Sequence, residues 1–114
     1  MSLQKGHGVE QLEALDWRER ILDLGPELDR DGAFLDTAAV ISTLDLVITS
    51  DTAIAHLAGA LGAPVWLALA RVPDWRWGSP AATRRGIRPC GCCQDRSGDW
   101  TGVFTRIVEA LNQR

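Results

Sequence analysis

The chain has 114 residues, room for one small domain and not for two. Twelve Lys and Arg against fifteen Asp and Glu give a net charge of -3, so no basic excess exists to neutralise a phosphate backbone, and nucleic acid is excluded as a partner. An apolar content of 46% and a charged content of 24% are ordinary for a soluble globular protein. The longest apolar run, from Ala53 to Ala70, is interrupted by His56, Gly59, Gly62 and Pro64, and so does not read as a membrane span. The opening Met1-Ser2-Leu3-Gln4-Lys5-Gly6 lacks the apolar core of a signal peptide, which makes the cytoplasm the default expectation.

In chain order, residues 1–4 suit a strand or the remains of one, and Lys5-Gly6-His7-Gly8 reads as a loop. Apolar residues at Val9, Leu12 and Leu15 fit a short helix. Ile21-Leu22-Asp23-Leu24 reads as a short buried strand closed by Gly25-Pro26. Ala38, Ala39, Val40, Ile41 and Leu44 follow a helical pattern that Asp36 or Thr37 would cap. Leu46-Val47-Ile48 is short, apolar and largely β-branched, as expected of a strand covered on both faces. Ser50-Asp51-Thr52 then opens a helix with Ile54, Leu57, Ala58 and Leu61 on one stripe and Gly62 at its end. Pro64 to Leu69 is the next strand, and Trp100 to Leu111 a last amphipathic helix with Val103, Ile107, Val108 and Leu111 inward.

Strand, helix, strand, helix, strand from residue 21 makes two βαβ units, which require a parallel sheet. The fold class is therefore α/β, a Rossmann-like parallel sheet with flanking helices. Residues 78–98 are rich in Arg, Gly, Pro and Cys, carry little periodicity, and read as an irregular segment from which an expected last strand is missing.

Ligands of open α/β sheets bind beyond the carboxyl ends of the strands. Three segments converge there: Lys5-Gly6, Ser50-Asp51-Thr52, and the run from Ala70 to Trp77. Small residues at the start of a helix leave its first N–H groups to an anion, above all a phosphate, and Ser50 and Thr52 can add hydroxyl donors. His56 follows Thr52 by four residues and shares its helix face. The same residues also read as plain helix caps, His56 as a structural histidine and Lys5 as a solvated charge. Trp75 and Trp77, beside Asp74 and Arg76, suit a ring-stacking surface. Cys90, Cys92 and Cys93 lack a nearby fourth ligand, so no metal site is expected.

The run Leu44-Asp45-Leu46-Val47-Ile48-Thr49-Ser50-Asp51-Thr52-Ala53-Ile54-Ala55-His56-Leu57-Ala58-Gly59-Ala60-Leu61-Gly62-Ala63-Pro64-Val65-Trp66, followed by Pro73-Asp74-Trp75-Arg76-Trp77, resembles the C-terminal half of GT-B glycosyltransferases. It is similar in particular to heptosyltransferase-like enzymes and to the related domain attached to bacterial tetratricopeptide-repeat proteins. The resemblance covers residues 2–78 and 98–112. It implies binding of a nucleotide-diphosphate sugar, with Ser50, Asp51, Thr52 and Ala53 holding the diphosphate, His56 supporting that loop or touching the donor, Lys5 and Gly6 at the phosphates, and Trp75 and Trp77 flanking the donor pocket. It implies no bound cofactor or metal, the nucleotide sugar being the donor substrate.

A GT-B enzyme works in a cleft between two halves, so the resemblance makes residues 1–114 a single truncated donor-binding domain, inactive alone. Its expected partner is a missing N-terminal half, or a second copy in a homodimer. Residues 78–94 depart from the family, which has an aromatic-rich Ser-Pro-Trp-Tyr-Pro segment leading to a strand. Synonymous codons for Ala82 to Cys93, read in a shifted frame, permit Asp-Ser-Pro-Trp-Tyr-Pro-Ser-Val-Arg-Leu, so a frame change in the gene is one origin for this segment. A non-catalytic Rossmann-like scaffold and a small Cys-cluster metal protein are the alternative readings.

Overall fold

A computed structural model describes residues 1–70, 87–93 and 98–114, with the backbone alone for 87–93. The chain divides into two compact units, Met1–Val40 and Ile41–Arg114.

The larger unit is built on three parallel strands in the order β1 (Val47–Thr49), β2 (Val65–Leu69) and β3 (Ile87–Cys93). Val47 pairs with Val65 and Thr49 with Leu67, so the apolar β-branched run predicted as a strand is one. It is covered on one face and not on both as expected, since Val47 is buried and Ile48 is exposed. Parallel neighbours cannot be joined by a tight turn. Helix α3 (Ala53–Ala60) makes the crossover between β1 and β2. It stops where the sequence predicts, at Gly62, whose φ of +77° is a conformation that costs glycine little. The N–H of Gly62 reaches the Gly59 carbonyl (3.2 Å) and that of Ala63 the Ala58 carbonyl (3.0 Å), the paired bonds of a Schellman cap. Val65, Leu67, Ala68 and Leu69 are buried along β2.

Helix α4 (Trp100–Asn112) starts at Asp99, whose Oδ1 accepts the Thr101 N–H at 2.8 Å. Its buried Val103 and Ile107 pack with Ala68, and half-buried Trp66 lies against the same cluster. Val108 and Leu111, expected to face inward, are exposed. The inward stripe is narrower than their apolar character suggests, because an exposed leucine or valine costs little and gives no orientation signal by itself.

The expected absence of a regular last strand is corrected by β3, which pairs parallel to β2 from Val65 opposite Ile87 to Leu69 opposite Cys93, with an irregularity between Leu67 and Leu69. Part of the segment expected to be irregular, 78–98, is therefore extended chain. Backbone pairing needs no side-chain periodicity, and an outer strand tolerates a proline such as Pro89.

In the smaller unit, helix α1 is short (Glu10–Glu13), and α2 (Leu35–Ile41) begins here. Ile21 to Leu24 forms no strand; Asp23 makes one parallel bridge to Ser2, and a 3-10 turn follows at Gly25–Glu27. Asp23 Oδ1 instead accepts the Gly25 N–H at 3.1 Å, a local turn bond that competes with strand extension. Among the described residues no helix is long and apolar enough to cross a membrane.

Ile107, 5% exposed, and Val108, 55% exposed, are neighbours that separate the two faces of α4. Ile107→Ala is expected to lower the unfolding free energy by about 2–5 kcal/mol. Val108→Ala should change it by no more than about 0.5 kcal/mol, and urea unfolding of both variants checks the contrast.

Candidate functional site

The predicted site residues fall into two clusters, one in each unit. In the larger unit β1 ends at Thr49 and α3 begins at Ala53, so Ser50, Asp51 and Thr52 form the turn at the carboxyl end of a parallel strand. Thr52 is the N-cap, with extended backbone (φ -136°, ψ 170°), yet its side chain makes no capping hydrogen bond. Its hydroxyl lies 3.1 Å from that of Thr49. The Ala55 N–H bonds the Thr52 carbonyl at 3.0 Å. The simple capping role for the Thr52 hydroxyl is thus not the one it adopts, and the start of the helix keeps its dipole-enhanced donor character. His56 Nε2 stands 3.7 Å from Asp51 Oδ1, both groups partly exposed. That separation exceeds hydrogen-bond length and becomes an ion pair only on a protonated imidazole.

In the smaller unit Lys5 and Gly6 border a pocket of about 310 Å³, lined also by Gln4, Val9, Asp23, Gly25 and Pro26. It opens just past the Ser2–Asp23 bridge, as expected of a site beyond two parallel segments. Gly6 has φ +70° and its carbonyl accepts the Val9 N–H at 3.3 Å, a left-handed turn into the short helix. The Lys5 side chain is 46% exposed, yet its ammonium has partners within the protein. Its Nζ donates to the Leu28 carbonyl and lies 3.9 Å from Asp29 Oδ2.

Asp29 is a residue that pattern reasoning misses. Its side chain is 6% exposed and its backbone left-handed, with φ 60°. Oδ1 accepts the Thr37 N–H at 2.9 Å, Oδ2 accepts the Thr37 hydroxyl, and the Asp29 N–H returns a 2.8 Å bond to Asp36 Oδ2. This is the reciprocal logic of a capping box, delivered from a preceding loop. The expectation that Asp36 or Thr37 caps the helix is corrected accordingly: both lie inside α2, and Thr37 is the capped residue. The one sequence signal is an aspartate in a polar, glycine-containing loop, a residue type that tolerates φ > 0.

Burial pushes the Asp29 carboxyl upward. The Thr37 hydroxyl and N–H, the Lys5 ammonium and the Asp36 N–H outweigh it, and the group titrates below its ordinary value.

Trp75 and Trp77 lie outside the described residues, as does the proposed frame change over most of its length. The side chains of Cys90, Cys92 and Cys93 are likewise outside them. Among the described residues no group of three or more His, Cys, Asp or Glu could hold a metal ion.

Parallel strands joined through α3, with a polar turn at the strand's carboxyl end, define a Rossmann-like α/β protein. The model of glycosyltransferase family 9 (heptosyltransferase) matches residues 6–71, more than half of the chain, and the chain belongs to that family. Its function is therefore related to glycosyl transfer. No curated protein and no solved structure matches the chain. The family match contains Gly6, Ser50 to Ala53 and His56, and it begins one residue after Lys5.

A carboxyl group titrating lower in the folded than in the unfolded chain stabilises the fold above its unfolded value, and that contribution is lost as pH falls through the folded value. Asp29→Asn is expected to lower Tm at pH 7, with the gap to wild type closing below about pH 4, where the unfolded carboxyl also protonates. Thermal melts of both proteins from pH 7 down to pH 2 check this.

Proposed function

We propose that this chain is the nucleotide-diphosphate-sugar-binding half of a GT-B glycosyltransferase. The observation that supports this most directly is the turn from Thr49 to Ala53. It places an N-cap whose side chain does not cap, and the N-terminal end of α3, at the carboxyl end of a parallel strand within the region matched by family 9. In glycosyl transfer the bond from the sugar's anomeric carbon to the diphosphate breaks as the acceptor oxygen bonds to that carbon, and negative charge grows on the departing diphosphate. Within the larger unit the N-terminus of α3 and the Ser50 and Thr52 hydroxyls are the groups that would hold that charge. Within the smaller unit the Lys5 ammonium is a cation at the pocket that could meet a phosphate. Gly6 lets the backbone turn close beside Lys5, and Asp51 and Ala53 belong to the turn that would hold the diphosphate. His56 supports that turn or touches the donor, and the resemblance puts Trp75 and Trp77 beside the donor. In this reading neither a cofactor nor a resident metal takes part. The acceptor, and the base that removes its proton, belong to a second half, and the isolated chain binds donor without turning it over.

Calorimetric titration with UDP, GDP and ADP tests the proposal. Weak saturable binding of at least one is expected. Ser50→Ala and Lys5→Met should each weaken it by about tenfold, the usual scale of a hydrogen bond to a charged group. No saturable heat with any of the three, in a folded sample, overturns the reading.

A further inference from the structure

We propose that Asp29 is a positioning residue for Lys5: its carboxylate, together with the Leu28 carbonyl beside it, holds the Lys5 ammonium at the wall of the pocket bordered by Gly6, Asp23 and Gly25. The consequence for ligand binding rests on the reading that Lys5 meets a diphosphate.

A lysine carries a long, rotamer-rich stem, and ordering it on ligand binding costs affinity unless the protein has already ordered it. Here partners that can order it are in place on a side chain that is 46% exposed. The ammonium donates to the Leu28 carbonyl and faces Asp29 Oδ2 at 3.9 Å. An ammonium has three donors, so with one on Leu28 and one directed at Asp29 a third remains for a ligand. The Leu28 carbonyl is neutral, and the carboxylate stands at the long limit of an ion pair, so the ammonium is held without its field being cancelled at contact distance.

What makes Asp29 able to hold anything is that it is itself fixed. Its side chain is 6% exposed and bonded to the N–H and hydroxyl of Thr37, and its N–H is bonded to Asp36. The backbone at Asp29 is left-handed, and that turn directs the preceding carbonyl, that of buried Leu28, to Lys5. One residue thus joins the start of α2 to the cation of the pocket. Asp23, the carboxylate on the pocket wall, is bonded to the Gly25 N–H and forms no hydrogen bond or ion pair with Lys5 among the described residues.

The test is a double-mutant cycle on Lys5→Met and Asp29→Asn, with inorganic pyrophosphate and ADP titrated by calorimetry into wild type, both single variants and the double variant. The readout independent of ligand is ¹³C relaxation of the Lys5 side chain in the ligand-free protein. Asn at position 29 keeps an acceptor for Thr37 and removes the charge. Asp29→Asn is expected to loosen the Lys5 side chain and to weaken binding about threefold or more, a loss that disappears in the Lys5→Met background. A loss of equal size in both backgrounds, or Lys5 order unchanged by Asp29→Asn, overturns the role. Should Asp29→Asn fail to fold, Thr37→Val removes the hydroxyl that fixes Asp29. It must then loosen Lys5 in the same direction, and no loosening overturns the role equally. Failure of wild type to bind pyrophosphate, ADP, UDP and GDP alike overturns the proposed function, while the relaxation measurement still decides whether Asp29 holds Lys5.

Discussion

Two parallel strands cannot be closed by a tight turn, and the larger unit is arranged around that constraint. Val47–Thr49 and Val65–Leu69 run side by side in the same direction, so the chain must travel back along the sheet between them, and α3 is that return path. The return fixes where polar atoms are left over. The carboxyl end of β1 meets the amino end of α3 in four residues, which concentrates Thr49, Ser50, Asp51 and Thr52 where the peptide dipoles of the helix begin. The burial of β2 then fixes which face of α4 packs inward, through Ala68 against Val103 and Ile107.

The smaller unit uses a different device. It holds little regular structure, and its order comes from polar bonds: Asp23 onto Gly25, Asp29 onto Thr37, Asp36 onto Asp29, and Lys5 onto Leu28. A carboxylate that accepts backbone N–H groups fixes a loop without needing apolar area, which suits a segment in which Leu28 and Thr37 are the buried positions. The pocket at Lys5 is bordered by the residues these bonds arrest, including Gly25 and its neighbour Pro26.

Much of the larger unit could be read from residues alone, since β1, α3 and β2 each combine an apolar pattern of the right period with a stop such as Gly62 or a start such as Pro64. What escaped was decided by pairing rather than by pattern. Ile21 to Leu24 resembles a strand as strongly as Leu46 to Ile48 does, but Asp23 spends its carboxylate on a turn and only one bridge forms. β3 has no pattern to read, because its identity comes from the neighbouring backbone of β2. The site divides in the same way. Ser50 to Ala53 announce themselves by lying between a strand and a helix, whereas the grip on Lys5 joins residues 23 and 24 positions apart in sequence, beyond any local rule.

The left-handed backbone of Asp29 has a consequence for which sequences the loop can accept. Steric freedom at φ 60° admits glycine, asparagine and aspartate readily. The need for an acceptor at the start of α2 admits serine, threonine, asparagine and aspartate. Only asparagine and aspartate satisfy both, and a neighbouring ammonium separates those two by charge. Three weak preferences of different physical origin therefore intersect on a single amino acid. Position 29 is specified as tightly as a core position, although it lies in a loop and contributes almost nothing apolar.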